Sequence, residues 1–219
     1  MAKFYDLNQY NIHKKLFTMK KIIKMMMIVC LPVMAVAQQN YADFEKGNLI
    51  KFGVVSGKLD TASKNPRSSE VNKSLKCAKY IRDKNTKFDN IKIYPTKKMS
   101  DVSAYATHEG FPSKLSMKVY TSAPVGTLIE MQLGSKTNES YPSGINSQFQ
   151  GYTTVQNQWE NVVFTFAQTP EGSMLSSKDV DMINLMFAPG AEDGSIYFFD
   201  DIMGPDLISE TGENLPGKE

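Results

Sequence analysis

Two neighbouring carboxylates, Asp200 and Asp201, end an aromatic run at residues 195–202 (SIYFFDDI). A strand of that composition is covered on both faces or nearly so, and acids placed there need a compensating partner, for which a cation is one solution. A second acidic and aromatic cluster, residues 41–47 (YADFEKG), carries Glu45. A fold that closes its first strand against its last would bring Glu45 beside Asp200. Two such carboxylates repel unless protonated or bridged, and calcium bridges them within a shell of about six to eight oxygens, the rest being carbonyls and waters. The alternative is that Asp200 simply accepts hydrogen bonds from backbone amides at a sheet edge.

Catalytic patterns are missing. After residue 37 the sequence has one histidine, His108, within residues 106–110 (ATHEG), so a histidine metal cluster is excluded and a Ser-His-Asp triad would depend on that residue alone. There is no Gly-x-Ser-x-Gly elbow, phosphate-cradling glycine loop or dinucleotide fingerprint. A retaining glycosidase needs two carboxylates about 5 Å apart. Glu130 stands alone on its strand, and Asp179 with Asp181 falls in what reads as a loop.

The first 37 of the 219 residues read as a secretory signal peptide. Lys20, Lys21 and Lys24 precede an apolar run at 25–36 that closes on Ala35, Val36 and Ala37, and cleavage is expected after Ala37. Met19 stands just before the lysine pair, so residues 1–18 read as an upstream extension with Met19 as the true start. The run falls short of the roughly 20 apolar residues of a membrane span and is interrupted by Pro32. Cys30 follows Val29, where a lipoprotein signal needs a small residue. The protein is therefore expected to be exported, to the periplasm, the cell surface or the medium.

Without that leader the charge changes sign. Six of the 25 Lys and Arg residues and one of the 23 acids lie in it, leaving 19 against 22, a balance of −3. With no dense basic patch in the remainder, nucleic acid is not an expected partner. Cys77 is the one cysteine left, which rules out an internal disulfide and reads as a buried, inert thiol.

Behind these side chains the pattern is all-β. Short apolar runs of period two recur at 49–55, 76–82, 90–94, 114–121, 127–133, 148–154, 160–166, 182–187 and 195–202, punctuated by Gly, Pro, Asn and Ser, with no helical periodicity. Hairpin-like spacing predicts a two-sheet antiparallel β-sandwich of the jelly-roll type over residues 38–206, with a flexible tail at 207–219. Alternation sends Leu115, Met117, Val119, Ile129, Met131, Leu133, Val162, Phe164 and Phe166 into the core. Their neighbours, mixed polar and aromatic, form the outer face on which a ligand can lie. On strand parity Asp200 shares a side with Ile196, Phe198 and Ile202, and Asp201 with Tyr197 and Phe199.

The sequence also resembles a family. Phe44-Glu45, Asn65-Pro66, Val71-Asn72-Lys73-Ser74, Ala78-Lys79-Tyr80 with Arg82, Trp159-Glu160 and the run at 197–202 are similar, in order and spacing over about residues 41–206, to the jelly-roll carbohydrate-binding modules. These are the galactose-binding-like sandwiches appended to secreted xylanases and laminarinases. The resemblance implies non-catalytic binding of a polysaccharide or oligosaccharide by a monomer. It also implies a structural calcium held by Glu45, Asp200 and carbonyls near residues 72–74, with Asp201 turned away.

Such modules stack sugar rings on exposed aromatics and fix hydroxyls with amides and carboxylates. By that logic Tyr105, Phe111, Tyr120 and Tyr152 are candidate platforms, Glu130, Gln132, Gln148 and Gln150 their hydrogen-bonding partners, and Tyr141 an overhang from its loop. Trp159 opens an apolar strand and reads as a buried plug. Two rival readings use the same scaffold: a surface adhesion module, and a jelly-roll hydrolase or lyase.

Overall fold

The computed structural model describes residues 38–100, 115–174 and 178–208. Among them lie thirteen strands and no helix. The first sheet runs β3 (Lys58–Lys64), β4 (Lys76–Ile81), β12 (Ile196–Gly204), β7 (Leu115–Thr121) and the first half of β10 (Trp159–Gln168), with β1 (Gln39–Ala42) pairing to the far end of β12. The second runs β2 (Ile50–Val55), β5 (Ile91–Pro95), β11 (Met182–Phe187), β8 (Leu128–Gly134), β9 (Asn146–Tyr152) and the second half of β10. A short pair, β6 (Lys98–Met99) with β13 (Leu207–Ile208), is laddered to neither sheet, but its Met99 and Leu207 join their core. The fold is an all-β antiparallel sandwich.

β10 joins the two layers. Trp159 to Phe164 pair with β7, and Thr165 to Gln168 pair with β9. The expected closure of first strand on last is present, with Gln39 opposite Gly204 and Ala42 opposite Ile202.

The core lies where alternation predicts. Leu115, Met117, Val119, Ile129, Met131, Leu133, Val162 and Phe164 are buried, and Phe166 packs part-buried against them. An aromatic clasp ties the layers together. Phe187 of β11 stacks on Tyr197 at 4.4 Å between centroids and tilts against Phe199 at 5.6 Å, both from β12. Offset and tilted ring pairs of this kind add about 0.5–1.5 kcal/mol beyond the burial of their area.

All nine expected strands are present, with ends shifted by one or two residues, and four more join them. β3 lacks an apolar rhythm because it is an edge strand exposed along most of its length. β13 extends the sandwich past residue 206, since Leu207 is buried and pairs with Met99.

Strand parity fails at one place. Tyr197, Phe199 and Ile202 all face the core, so Ile202 does not share a side with Asp200. A β-bulge is the reason. Between Asp200 and Met203 the strand advances three residues while β7 advances two, from Lys118 to Ser116, and Asp201 takes φ 46°.

Candidate functional site

The outer face of the second sheet carries a row of polar side chains, one per strand. Gln132 of β8 lies opposite Gln148 of β9 and Asn184 of β11, and the row continues to Gln168 of β10 and Lys92 of β5. A second row places Glu130 between Gln150 and Met186. Period two on β8 and β9 is what puts Glu130, Gln132, Gln148 and Gln150 on one face while Ile129, Met131 and Phe149 fill the core beneath.

Glu130 organises this floor. Its Oε1 accepts from Gln132 Nε2 at 2.9 Å and its Oε2 from Gln150 Nε2 at 2.8 Å. The network spreads outward from there. Asn184 Nδ2 donates to Gln132 Oε1 at 3.3 Å, Tyr152 Oη to Gln150 Oε1 at 3.3 Å, and Gln168 Nε2 to Gln148 Oε1 at 2.6 Å. Each amide is thereby held in one orientation with donor or acceptor capacity remaining, which is what recognition of vicinal hydroxyls requires.

Although it is an outer face, Glu130 is only 5% exposed and Gln132 8%, because loops rise at both ends of the strands. At one end, before β5 and after β11, stand Phe88 and Pro189; at the other, in the β8–β9 loop, stands Tyr141. Phe88 is 63% and Tyr141 58% exposed. Between these walls a groove of about 610 Å³ crosses the strands, its floor completed by Leu128, Met186 and Asn90. Tyr141 accepts from Gln148 Nε2 at 3.4 Å, and its loop is pinned by Glu139, which pairs with Lys92 and accepts from Tyr94 Oη at 3.2 Å. Among the described lining residues Glu130 is the sole charged group.

The structure thus gathers Glu130, Gln132, Gln148, Gln150 and Tyr152 on one face, with Tyr152 at its margin. Tyr120 does not join them. It belongs to β7 of the other sheet, where it packs on Trp159 at 5.8 Å and Phe198 at 5.9 Å, with Lys79 Nζ over the Phe198 ring. Sequence alternation assigns a residue to an inner or outer face, and it does not say which sheet owns that face. Trp159 is buried there and donates from Nε1 to Asn65 Oδ1 at 3.0 Å, beneath the loop that precedes β4. Tyr105, Phe111, His108 and Glu109 lie outside the described residues. Asn184 and Met186 were missed, because β11 is apolar at five of its six positions and shows no alternation, and Phe88 and Pro189 sit in loops with no periodic signal.

The two predicted metal ligands approach one loop from two sides. Glu45 Oε1 accepts from the backbone N–H groups of Leu75 and Lys76 at 2.5 and 2.6 Å. Asp200, fully buried, accepts from Asn72 Nδ2 at 2.9 Å and from the Asp201 N–H at 2.9 Å. Burial pushes the Asp200 carboxyl up to about 6 against the opposing pull of Asn72 and Ser74 hydrogen bonds. Among the described residues no three acidic, His or Cys side chains converge on one point. Carboxylate and carbonyl oxygens are the hard donors that calcium takes, but Asn72 turns its Nδ2 toward Asp200 while its Oδ1 accepts from the Ser74 N–H at 3.0 Å, and among the described residues no cationic side chain hydrogen-bonds to Asp200. Asp201 is spoken for elsewhere, by Lys118 Nζ at 2.5 Å and Asn40 Nδ2 at 2.8 Å. Cys77 is buried, and desolvation followed by the nearby Asp200 and Asp60 charges raises its thiol to about 12, which makes it inert at neutral pH.

No family profile matches the sequence, and no curated relative does. Solved structures do match in layout. One is an exo-β-agarase, at TM-score 0.49 and 10% identity over 78% of this chain, which spans only 25% of that one. Another is a family 11 carbohydrate-binding module of a cellulosomal cellulase from Clostridium thermocellum, at TM-score 0.48 and 15% identity over 80% of this chain and 99% of that one. A family 30 carbohydrate-binding module follows at TM-score 0.45 and 14% identity, over 84% and 94%. Structural neighbours of this chain include agarases as well as family 11 and family 30 carbohydrate-binding modules, and the likeness is one of layout alone.

Proposed function

We propose that this chain binds a neutral polysaccharide or oligosaccharide in the groove between Phe88 and Tyr141 and does not turn it over. The observation that carries this reading is the Glu130-centred amide network lying between two exposed aromatic walls. Aromatic faces supply the apolar area that stacks on a pyranose, and the fixed amides supply direction toward its hydroxyls. With Lys92 already paired to Glu139, the described lining residues offer no free cation to a uronate or a sulfate. The sole carboxylate among the described lining residues, Glu130, is tied to two amides, so these residues hold no pair of acids such as glycoside hydrolysis uses.

One calcium would be held by Glu45, Asp200 and oxygens of residues 72–74, and its role would be to neutralise the buried Asp200 and fasten the loop before β4. The leader pattern within residues 1–37 supports export. Among the described residues no helix is long and apolar enough to cross a membrane.

Isothermal titration of the full chain against mixed-linked β-1,3-1,4-glucan, cello-oligosaccharides, agaro-oligosaccharides and polygalacturonate tests the reading. At least one neutral glycan should bind, with little dependence on salt, and polygalacturonate should not. If every neutral glycan in that set fails to bind, or if polygalacturonate alone does, the proposal is wrong.

A further inference from the structure

Arg82 follows β4 on the first sheet, yet its side chain is spent entirely on the two loops that build one wall of the groove. Its guanidinium is fully enclosed. Toward the loop between β4 and β5 it donates from Nε to Asp89 Oδ1 at 2.9 Å and from Nη2 to the Lys87 and Thr86 carbonyls at 3.3 and 3.5 Å. Toward the loop between β11 and β12 it donates from Nη1 to Asp193 Oδ1 at 3.1 Å and from Nη2 to the Ala191 carbonyl at 2.9 Å. The two loops also meet directly, Gly190 N–H donating to the Lys87 carbonyl at 2.8 Å.

Asp89 is the other half of the knot. It is completely buried, and its second oxygen accepts from Tyr80 Oη at 2.8 Å and from the Asp83 N–H at 2.7 Å. The turn at residues 87–88 runs directly into this anchor, so the bonds on Asp89 fix the backbone from which its neighbour leaves the loop. The neighbour is Phe88. It stands 63% exposed, on backbone tied down by the anchor that follows it.

We infer that Arg82 is a positioning residue for glycan binding: by clamping Asp89 to Asp193 it fixes the width of the groove and holds Phe88 out as a platform facing Tyr141. This rests on the reading of the groove as a glycan site. A planar, five-donor fork suits the task, because it engages both loops at once and a lysine cannot reproduce that geometry. Arg82 itself touches no ligand. Its influence passes through Phe88 and Pro189.

The test uses the full chain and four proteins, wild type, Arg82→Lys, Phe88→Ala and the double variant, titrated with the oligosaccharide of highest affinity in the set above, alongside amide hydrogen exchange. Arg82→Lys should weaken binding about tenfold when Phe88 is present and less than about twofold when it is absent, since the two act through one contact. Exchange at residues 86–90 and 188–191 should rise in Arg82→Lys, with the amides of β8 and β9 unchanged. Asp193→Asn, a milder change at a half-exposed partner, serves if Arg82→Lys does not fold, with the same pattern expected. Losses that simply add, or loosened loops with undiminished affinity, or loops that do not loosen, each overturn the inference. A wild type that binds no glycan sinks the functional reading and the wall's role with it, while the exchange data still report separately on whether the clamp exists.

Discussion

Glu130 and Gln150 lie directly opposite each other on β8 and β9, and Gln150 Nε2 donates to Glu130 Oε2 at 2.8 Å while Gln132 Nε2 occupies the other carboxylate oxygen. The acid is therefore an orienting hub. Glu130→Gln keeps the volume and replaces one acceptor oxygen by a donor, so at least one of the two amides must turn around. Glycan affinity should fall about tenfold or more with little change in melting temperature, as read by titration and calorimetry. Unaltered affinity would remove Glu130 from the site.

The two outer faces make opposite predictions. Tyr141 overhangs the groove, whereas Tyr120 belongs to the other sheet, among Trp159 and Phe198. Tyr141→Ala should weaken glycan binding about tenfold, the loss of one stacked ring, and Tyr120→Ala should leave it within about twofold. The reverse result would move the ligand to the first sheet.

The proposed calcium would be linked to pH through Asp200. The folded pKa of that carboxyl, about 6, stands above the ordinary 3.8. In metal-free protein the group thus contributes stability that is complete below about pH 4 and is lost as pH rises through 6, on the order of 3 kcal/mol. Calcium needs the ionised form, so the rise in melting temperature on adding calcium should grow between pH 4 and 7 and vanish on adding EDTA. Asp200→Asn should flatten the metal-free pH dependence and abolish the calcium response. If wild-type melting at pH 7 ignores both calcium and EDTA, no metal ties these residues together.

Phe187 holds the layers together through its stack on Tyr197. Phe187→Ala should cost about 3–5 kcal/mol in urea unfolding, the range for a fully buried phenylalanine. A loss below about 1 kcal/mol would mean the cavity collapses freely.

How much of this could be read from the sequence differs by element. Central strands declare themselves, because β7, β8 and β10 alternate to fill a core on one side, and Glu130 and Gln132 come with the alternation of β8, as Gln148 and Gln150 do with that of β9. β3 was invisible because an edge strand exposed on both faces needs no rhythm. The Asp201 bulge reversed the parity of Ile202, and an inserted residue leaves no mark in composition. Phe88 and Arg82 depend on loops meeting across more than a hundred residues of chain, as Arg82 with Asp193 does, and that is tertiary information.

The shared strand β10 also governs how the molecule comes apart. Six of its residues are laddered to β7 and the remainder to β9, so neither layer has a backbone boundary of its own. Peeling either sheet would strand half of one strand's amides without partners. The sandwich should consequently open as one cooperative unit in which the slowest-exchanging amides of both layers report a single free energy, and the floor of the groove inherits the full stability of the core.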